Sequence, residues 1–146
     1  MFRGKESFDD YLFVEKTCKE WDIPFEGKQI DVTAYMNESG ESTQLAARNL
    51  RYAFFQEVME KHHLDVLVLG HHGDDQVETM LMRLTRGSAE KARAGIPVKR
   101  PFASGSIARP LLCVSRSEIE TYAKQHGLDP RMDPKKKKND YLRNRF

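Results

Sequence analysis

Cysteine is scarce in this chain: Cys18 and Cys113 are the only two in 146 residues. They lie far apart and lack metal-type spacing. That excludes a disulfide scaffold and a zinc ribbon and reads as two buried free thiols. Long apolar runs are missing too. None approaches the ~20 residues that a membrane-spanning helix needs. The first residues, Met1-Phe2-Arg3-Gly4-Lys5-Glu6, have no apolar core and do not form a secretory signal. The expectation is a cytoplasmic protein with no membrane partner. A charge excess is also missing: the formal net charge is only +2, so global charge does not announce a nucleic-acid binder. There is no internal repeat, and no low-complexity segment apart from one lysine run.

What is present fits one ordinary domain. At this length roughly 68% of the extended chain's surface can be buried on folding. Hydrophobic content of 39% and charged content of 32% describe a globular balance. Positive charge gathers at the end, where Lys135-Lys136-Lys137-Lys138 precede Arg143 and Arg145. Such a tail is either a solvated, frayed terminus or an arm that contacts phosphates.

The pattern predicts a helix capped by Ser7, with Asp9 and Asp10 in its first turn and an apolar face of Tyr11, Val14, Cys18 and Trp21. Pro24 ends it. Lys28-Gln29-Ile30-Asp31-Val32 alternates and reads as a strand; Asn37 to Glu41 is turn-rich. A long helix runs from about Ser42 to His62, with Ala47, Leu50, Phe54 and Val58 as its stripe. Leu64 to Leu69 reads as a short, fully buried strand. Gly87 to Gly105 reads mostly as loop, and Ile107 to Val114, broken by Pro110, as a short edge strand. Ser115-Arg116-Ser117-Glu118 is a capping box that opens a last helix, ended by Gly127. Helix alternating with strand argues for an α/β class with a parallel sheet.

Gly70-His71-His72-Gly73-Asp74-Asp75-Gln76-Val77-Glu78-Thr79 bridges the buried strand and a following helix. The carboxyl ends of strands in an open α/β sheet are where ligands bind. On the helix, Asp75 and Glu78 are three apart, and Asp74 and Glu78 four apart, so each pair shares a face. Paired carboxylates suit a cationic amine, Mg²⁺ or the proton of an attacking amine. His71 and His72 can polarise or carry protons. A zinc site is a weak reading, because His71 and Asp75 have no evident third ligand. A purely architectural reading, with Asp74 or Asp75 as N-cap, competes evenly with a substrate-binding turn on spacing alone.

The segment from Gly70 to Thr79, with Leu81-Met82-Arg83-Leu84-Thr85-Arg86-Gly87-Ser88, closely resembles a signature of the tRNA(Ile)-lysidine synthases. These belong to the PP-loop (N-type) ATP pyrophosphatase superfamily. Further matches follow the family's order: Phe2-Arg3-Gly4 with Ser7, Ala46 to Phe55, Arg109-Pro110-Leu111-Leu112 with Ser115-Arg116 and Glu118-Ile119, Asp133-Pro134, and Arg143-Asn144-Arg145. The resemblance implies a Rossmann-like, adenine nucleotide alpha hydrolase-like sheet with flanking helices. It implies a C–N bond-forming ligase. Such an enzyme activates C2 of the wobble cytidine of tRNA(Ile) with a CAU anticodon, using ATP and Mg²⁺, and L-lysine then displaces AMP. By position it implies that Asp75 and Glu78 hold lysine, with His71 and Arg51 beside the reacting centre. Arg51 could bind a carboxylate or phosphate, or only make a surface salt bridge. His72, Asp74 and Arg3 fall on the substrate side. Arg83, Arg86, Lys135, Lys136, Arg143 and Arg145 fall toward tRNA, although Arg83 and Arg86 equally suit a solvated face. No metal-ligating residue is implied.

The family's Ser-Gly-Gly-x-Asp-Ser segment, whose backbone cradles ATP phosphates, does not occur in this sequence. The resemblance therefore implies a catalytic domain incomplete at its N-terminus over 1–128, a basic tail over 129–146, and no lysidine formation by this chain alone. It also implies a sheet gap between the strands near Ile30 and Val66. The expected remedies are direct pairing of those two strands, strand exchange in a homo-oligomer, or docking of a missing N-terminal segment. Asp133-Pro134-Lys135-Lys136 departs from the family's Asp-Pro-Ser-Asn. Two alternatives stay open: a tRNA thiolase, disfavoured by the lack of a Cys-x-x-Cys pair, and a non-catalytic RNA-binding remnant.

Overall fold

The computed structural model describes residues 4–85 and 94–130. Helix α1 spans Gly4–Glu20. It starts before Ser7, so Ser7 lies inside the helix instead of capping it. Its expected apolar face is only partly covered: Tyr11 and Cys18 are half-buried, while Val14 is 46% and Trp21 57% exposed. The aromatic contacts of α1 are Phe8 stacked on Tyr11 and Tyr11 edge-on to Phe25 at 5.3 Å.

The expected strand at 28–32 does not form. Asp31 caps helix α2 (Val32–Ser39) instead, accepting hydrogen bonds from the amides of Thr33 and Ala34. An N-cap carboxylate satisfies two orphan amides locally, and that outweighs a five-residue alternation with no neighbour to pair with. Gly40 closes α2 in the left-handed region. Helix α3 (Thr43–Lys61) has Ser42 as N-cap and His62 as C-cap, matching the expected span.

Strand β1 (Val66–Val68), helix α4 (Gly73–Thr85), strand β2 (Lys99–Phe102) and strand β3 (Gly105–Ala108) follow. The strand order is β1-β3-β2, with β1 parallel and β2 antiparallel to β3. The sheet is therefore mixed. Three expectations change. β2 lies in the stretch read as loop, where Pro101 hid it; an edge strand tolerates proline. β3 is the central strand, not an edge. β1 is an edge strand and not fully buried, with Val66 49% and Val68 62% exposed. With no strand near Ile30, the expected direct pairing of that segment with β1 does not occur.

Gly105 has a specific reason: a Cβ there would collide with the Asp65 carbonyl, which accepts the Ser106 amide where β1 meets β3. A 3₁₀ turn (Pro110–Cys113) leads into helix α5 (Arg116–Gln125), which opens on the expected capping box of Ser115 and Glu118. Cys18 is half-buried and Cys113 exposed, so Cys113 departs from the buried-thiol expectation. Among the described residues the buried apolar core is Ala46, Met59 and Ile107. It lies where α3 covers the sheet. No described helix is long and apolar enough to cross a membrane.

Candidate substrate pocket

The strand-to-helix turn forms where the sequence places it. Leu69 donates to the Ala108 carbonyl at 2.9 Å and extends the β1–β3 ladder into the turn. His72 then sits at the N-cap of α4. The Asp75 carboxylate reaches back to the His72 amide at 3.0 Å, and the His72 Nε2 lies 3.5 Å from the same oxygen. A third-position acid satisfying the N-cap amide fixes the start of the helix. The Gly73 amide donates to the Val114 carbonyl at 2.8 Å, and Asp74 accepts the Arg116 amide at 3.0 Å. These two bonds fasten α4 to the start of α5.

Opposite the turn, residues 95–97 form a strap held by side chains. The Gln76 amide group donates to the Ile96 carbonyl at 3.1 Å and accepts the Ile96 amide. Arg83 donates to the Gly95 carbonyl at 2.7 Å, and Arg109 to the Pro97 carbonyl at 2.8 Å. Gly95 adopts φ +54°, and a Cβ there would lie 2.7 Å from the Gln76 side chain. Both facts call for glycine.

Turn, strap, α3 and sheet border an open cleft of about 520 Å³, within the usual range for small-ligand sites. Asp75, Glu78 and Thr79 of α4 line it, together with His71. Arg48 and Tyr52 of α3, Arg83 of α4, Arg100 of β2 and Arg109 just past β3 line it too, so carboxylates and guanidinium groups share one cleft. Asp75 is half-buried and Glu78 exposed, one helical turn apart on α4. Burial, reinforced by the Arg109 charge, lowers the His71 pKa and keeps the imidazole neutral at pH 7. Burial raises the Tyr52 pKa, but Arg48, Arg100 and Arg109 outweigh it, and the net shift is downward. His71 Nδ1, His72 Nδ1 and Arg109 Nε are buried without a hydrogen-bond partner among the described residues.

Of the residues singled out in the sequence, the structure brings together His71, Asp75, Glu78 and Arg83. Arg51 is not with them: it is exposed on α3 and absent from the lining. Helical geometry explains this. Arg48 and Tyr52 are four apart and share the face turned to the cavity, while Arg51 sits about 100° from Tyr52 around the axis. His72 and Asp74 also do not line it, and both serve the helix junctions. Arg83 lines the pocket, but its guanidinium is engaged by the strap. Arg3, Arg86, Lys135, Lys136, Arg143 and Arg145 lie outside the described residues. The sequence reading missed Arg48, Tyr52, Arg100 and Arg109 as site residues, as well as Gln76 of the strap. The Arg48/Tyr52 spacing was the one local signal; the others need the sheet register to be seen.

A parallel strand feeding a helix whose first turns line a cleft defines a Rossmann-like α/β class. A family model described as the PP-loop domain matches residues 2–146, and the chain belongs to that family. Its Rossmann-like α/β fold accords with that membership. Its curated relatives are tRNA(Ile)-lysidine synthases. The one from Geobacillus kaustophilus is 57% identical over 146 residues, covering 100% of this chain and 32% of that protein. Those from Bacillus cereus and Bacillus subtilis are 51% and 49% identical, covering 100% and 99% of this chain and 31% of each relative. The chain thus spans about a third of the length of the curated relatives it matches.

PP-loop membership implies ATP use by the family. The residues described here do not make a triphosphate cradle. Gly105 serves a strand contact, Gly73 a helix start and Gly95 the strap. No glycine-rich run follows β1, and no step is derived through ATP. Among the described residues no group of three His, Cys, Asp or Glu could hold a metal ion.

Proposed function

We propose that this chain supplies the lysine-binding part of a tRNA(Ile)-lysidine synthase, a ligase that joins L-lysine to C2 of the wobble cytidine of tRNA(Ile) in an ATP- and Mg²⁺-dependent reaction. The catalytic piece covers 1–128, with 129–146 as a basic arm toward tRNA, and the setting is the cytoplasm. The observation that carries this reading is Asp75 and Glu78 lining a cleft large enough for an amino acid. Two carboxylates one helical turn apart offset the cost of taking an ammonium group out of bulk water.

The chemistry follows from the residues. Lysine attacks only through a neutral amine, so the ammonium must lose a proton. Asp75 and Glu78 orient it, and neutral His71 accepts the proton as the new C–N bond at C2 replaces the C–O bond to AMP, which leaves with that bond's electron pair. His71 is fitted to this because burial depresses its pKa and leaves it unprotonated at neutral pH.

Calorimetric titration of the purified chain tests the reading. L-lysine is expected to bind saturably and L-norleucine, which lacks the side-chain amine, at least tenfold more weakly. Equal affinity for the two would overturn it.

A further inference from the structure

The guanidinium groups of the cleft are the unexplained part of the site. Arg48 Nη2 lies 3.5 Å from the Tyr52 hydroxyl, and its guanidinium carbon is 4.8 Å from the ring centroid. The Arg100 guanidinium carbon is 5.7 Å from the same ring. Arg109 is 4% exposed and leaves its Nε buried and unpartnered. Arg100 and Arg109 both lie close enough to the Tyr52 hydroxyl to lower its pKa. Among the described residues the ion pairs lie elsewhere, and none involves Arg48, Arg100 or Arg109. Three guanidinium groups thus gather near one phenol, and no ion pair among the described residues holds them. A buried cation without a counter-ion is costly, and like charges so close repel. Arginine forks match the geometry of a carboxylate or phosphate.

We propose that Arg48, Arg100 and Arg109, gathered around Tyr52, form an oxyanion seat that takes the carboxylate or phosphate of a bound ligand in the cleft that Asp75 and Glu78 also line. The seat deepens the proposed function: if the ligand is an amino acid, its ammonium goes to the carboxylates and its carboxylate to the guanidinium groups. Cation and anion ends are then both read, which selects a zwitterion over a simple diamine. A nucleotide phosphate offers the same oxyanion chemistry, and the experiment separates the two sources.

The full 146-residue chain is titrated calorimetrically with L-lysine, with cadaverine (the same diamine chain without a carboxylate) and with AMP. The variants are Arg100→Gln and, on the exposed side of the seat, Arg48→Gln, each checked for native circular dichroism. If the seat takes the amino acid's carboxylate, both variants weaken L-lysine at least tenfold and leave cadaverine unchanged. If it takes a phosphate, they weaken AMP at least tenfold and leave both amines unchanged. Failure of both amines to bind, with AMP still sensitive to Arg100, would sink the lysine reading while the seat stands. Unchanged affinities for all three ligands in a folded variant, an equal loss for L-lysine and cadaverine, or no binding of any of them to the parent chain would overturn the seat.

Discussion

The pocket and the N-terminal arm are held by different forces. Around the pocket, Gln76, Arg83 and Arg109 grip the backbone of residues 95–97, and Asp74 and Gly73 grip the start of α5. The arm, from α1 to the start of α2, keeps Phe8, Trp21, Ile23 and Ile30 between 38% and 57% exposed. It meets α3 through solvent-exposed pairs: Lys28 with Glu57 at 2.7 Å, and Glu26 with Lys61 and His62. Exposed pairs of this kind contribute little. The difference teaches that local geometry at this site does not depend on a large core. Side-chain-to-backbone bonds define the cavity in a chain whose described core is three residues.

The comparison can be broken from either side. The largest expected effect is on binding: Asp75→Asn should cost about 2–4 kcal/mol in L-lysine affinity, a 30- to 1000-fold loss by calorimetry, because it removes a charge that faces the ligand's ammonium. Next comes Gln76→Ala. It strands the amide and carbonyl of Ile96, so it should cost about 1–3 kcal/mol in urea unfolding and speed hydrogen exchange at Ile96. A smaller effect comes from pH. Because the folded-state pKa of His71 is depressed, the unfolded chain binds the extra proton first. Its contribution is fully present above the unfolded value of about 6.5 and is lost as pH falls through the folded value. His71→Asn should flatten the pH dependence of Tm across that window. The smallest effect belongs to the arm: Trp21→Ser, at a residue 57% exposed, should change stability by no more than about 0.5 kcal/mol. A large loss there would show that the arm is packed more tightly than its exposure indicates.

Local chemistry explains what the sequence made legible. Ser42, the Ser115–Glu118 box and the turn at His71–Asp75 each rest on interactions within a few residues, and all three form as expected. The errors fall where distant neighbours decide. Ile30-Asp31-Val32 alternates like a strand, yet a strand needs a partner, and Asp31 as a cap needs only the next two amides. Pro101 disguised β2, which tolerates proline because only one of its edges is paired. Arg51 is a separate case: it drew attention through resemblance, and helix phase turns Arg48 and Tyr52, not Arg51, to the cleft. Arg100 and Arg109 reach the site only through the register that sets Arg100 opposite Ile107.

Receipt of an amino acid's ammonium by Asp75 and Glu78 is the proposal on which the rest depends. Amide chemical-shift mapping of the ¹⁵N-labelled chain during an L-lysine titration tests it most directly. The expected result is saturable shifts at Asp75, Gln76, Glu78 and Ile96, with α1 unmoved. Absence of shifts at those four amides at saturating lysine, or shifts gathered on the arm, would contradict it.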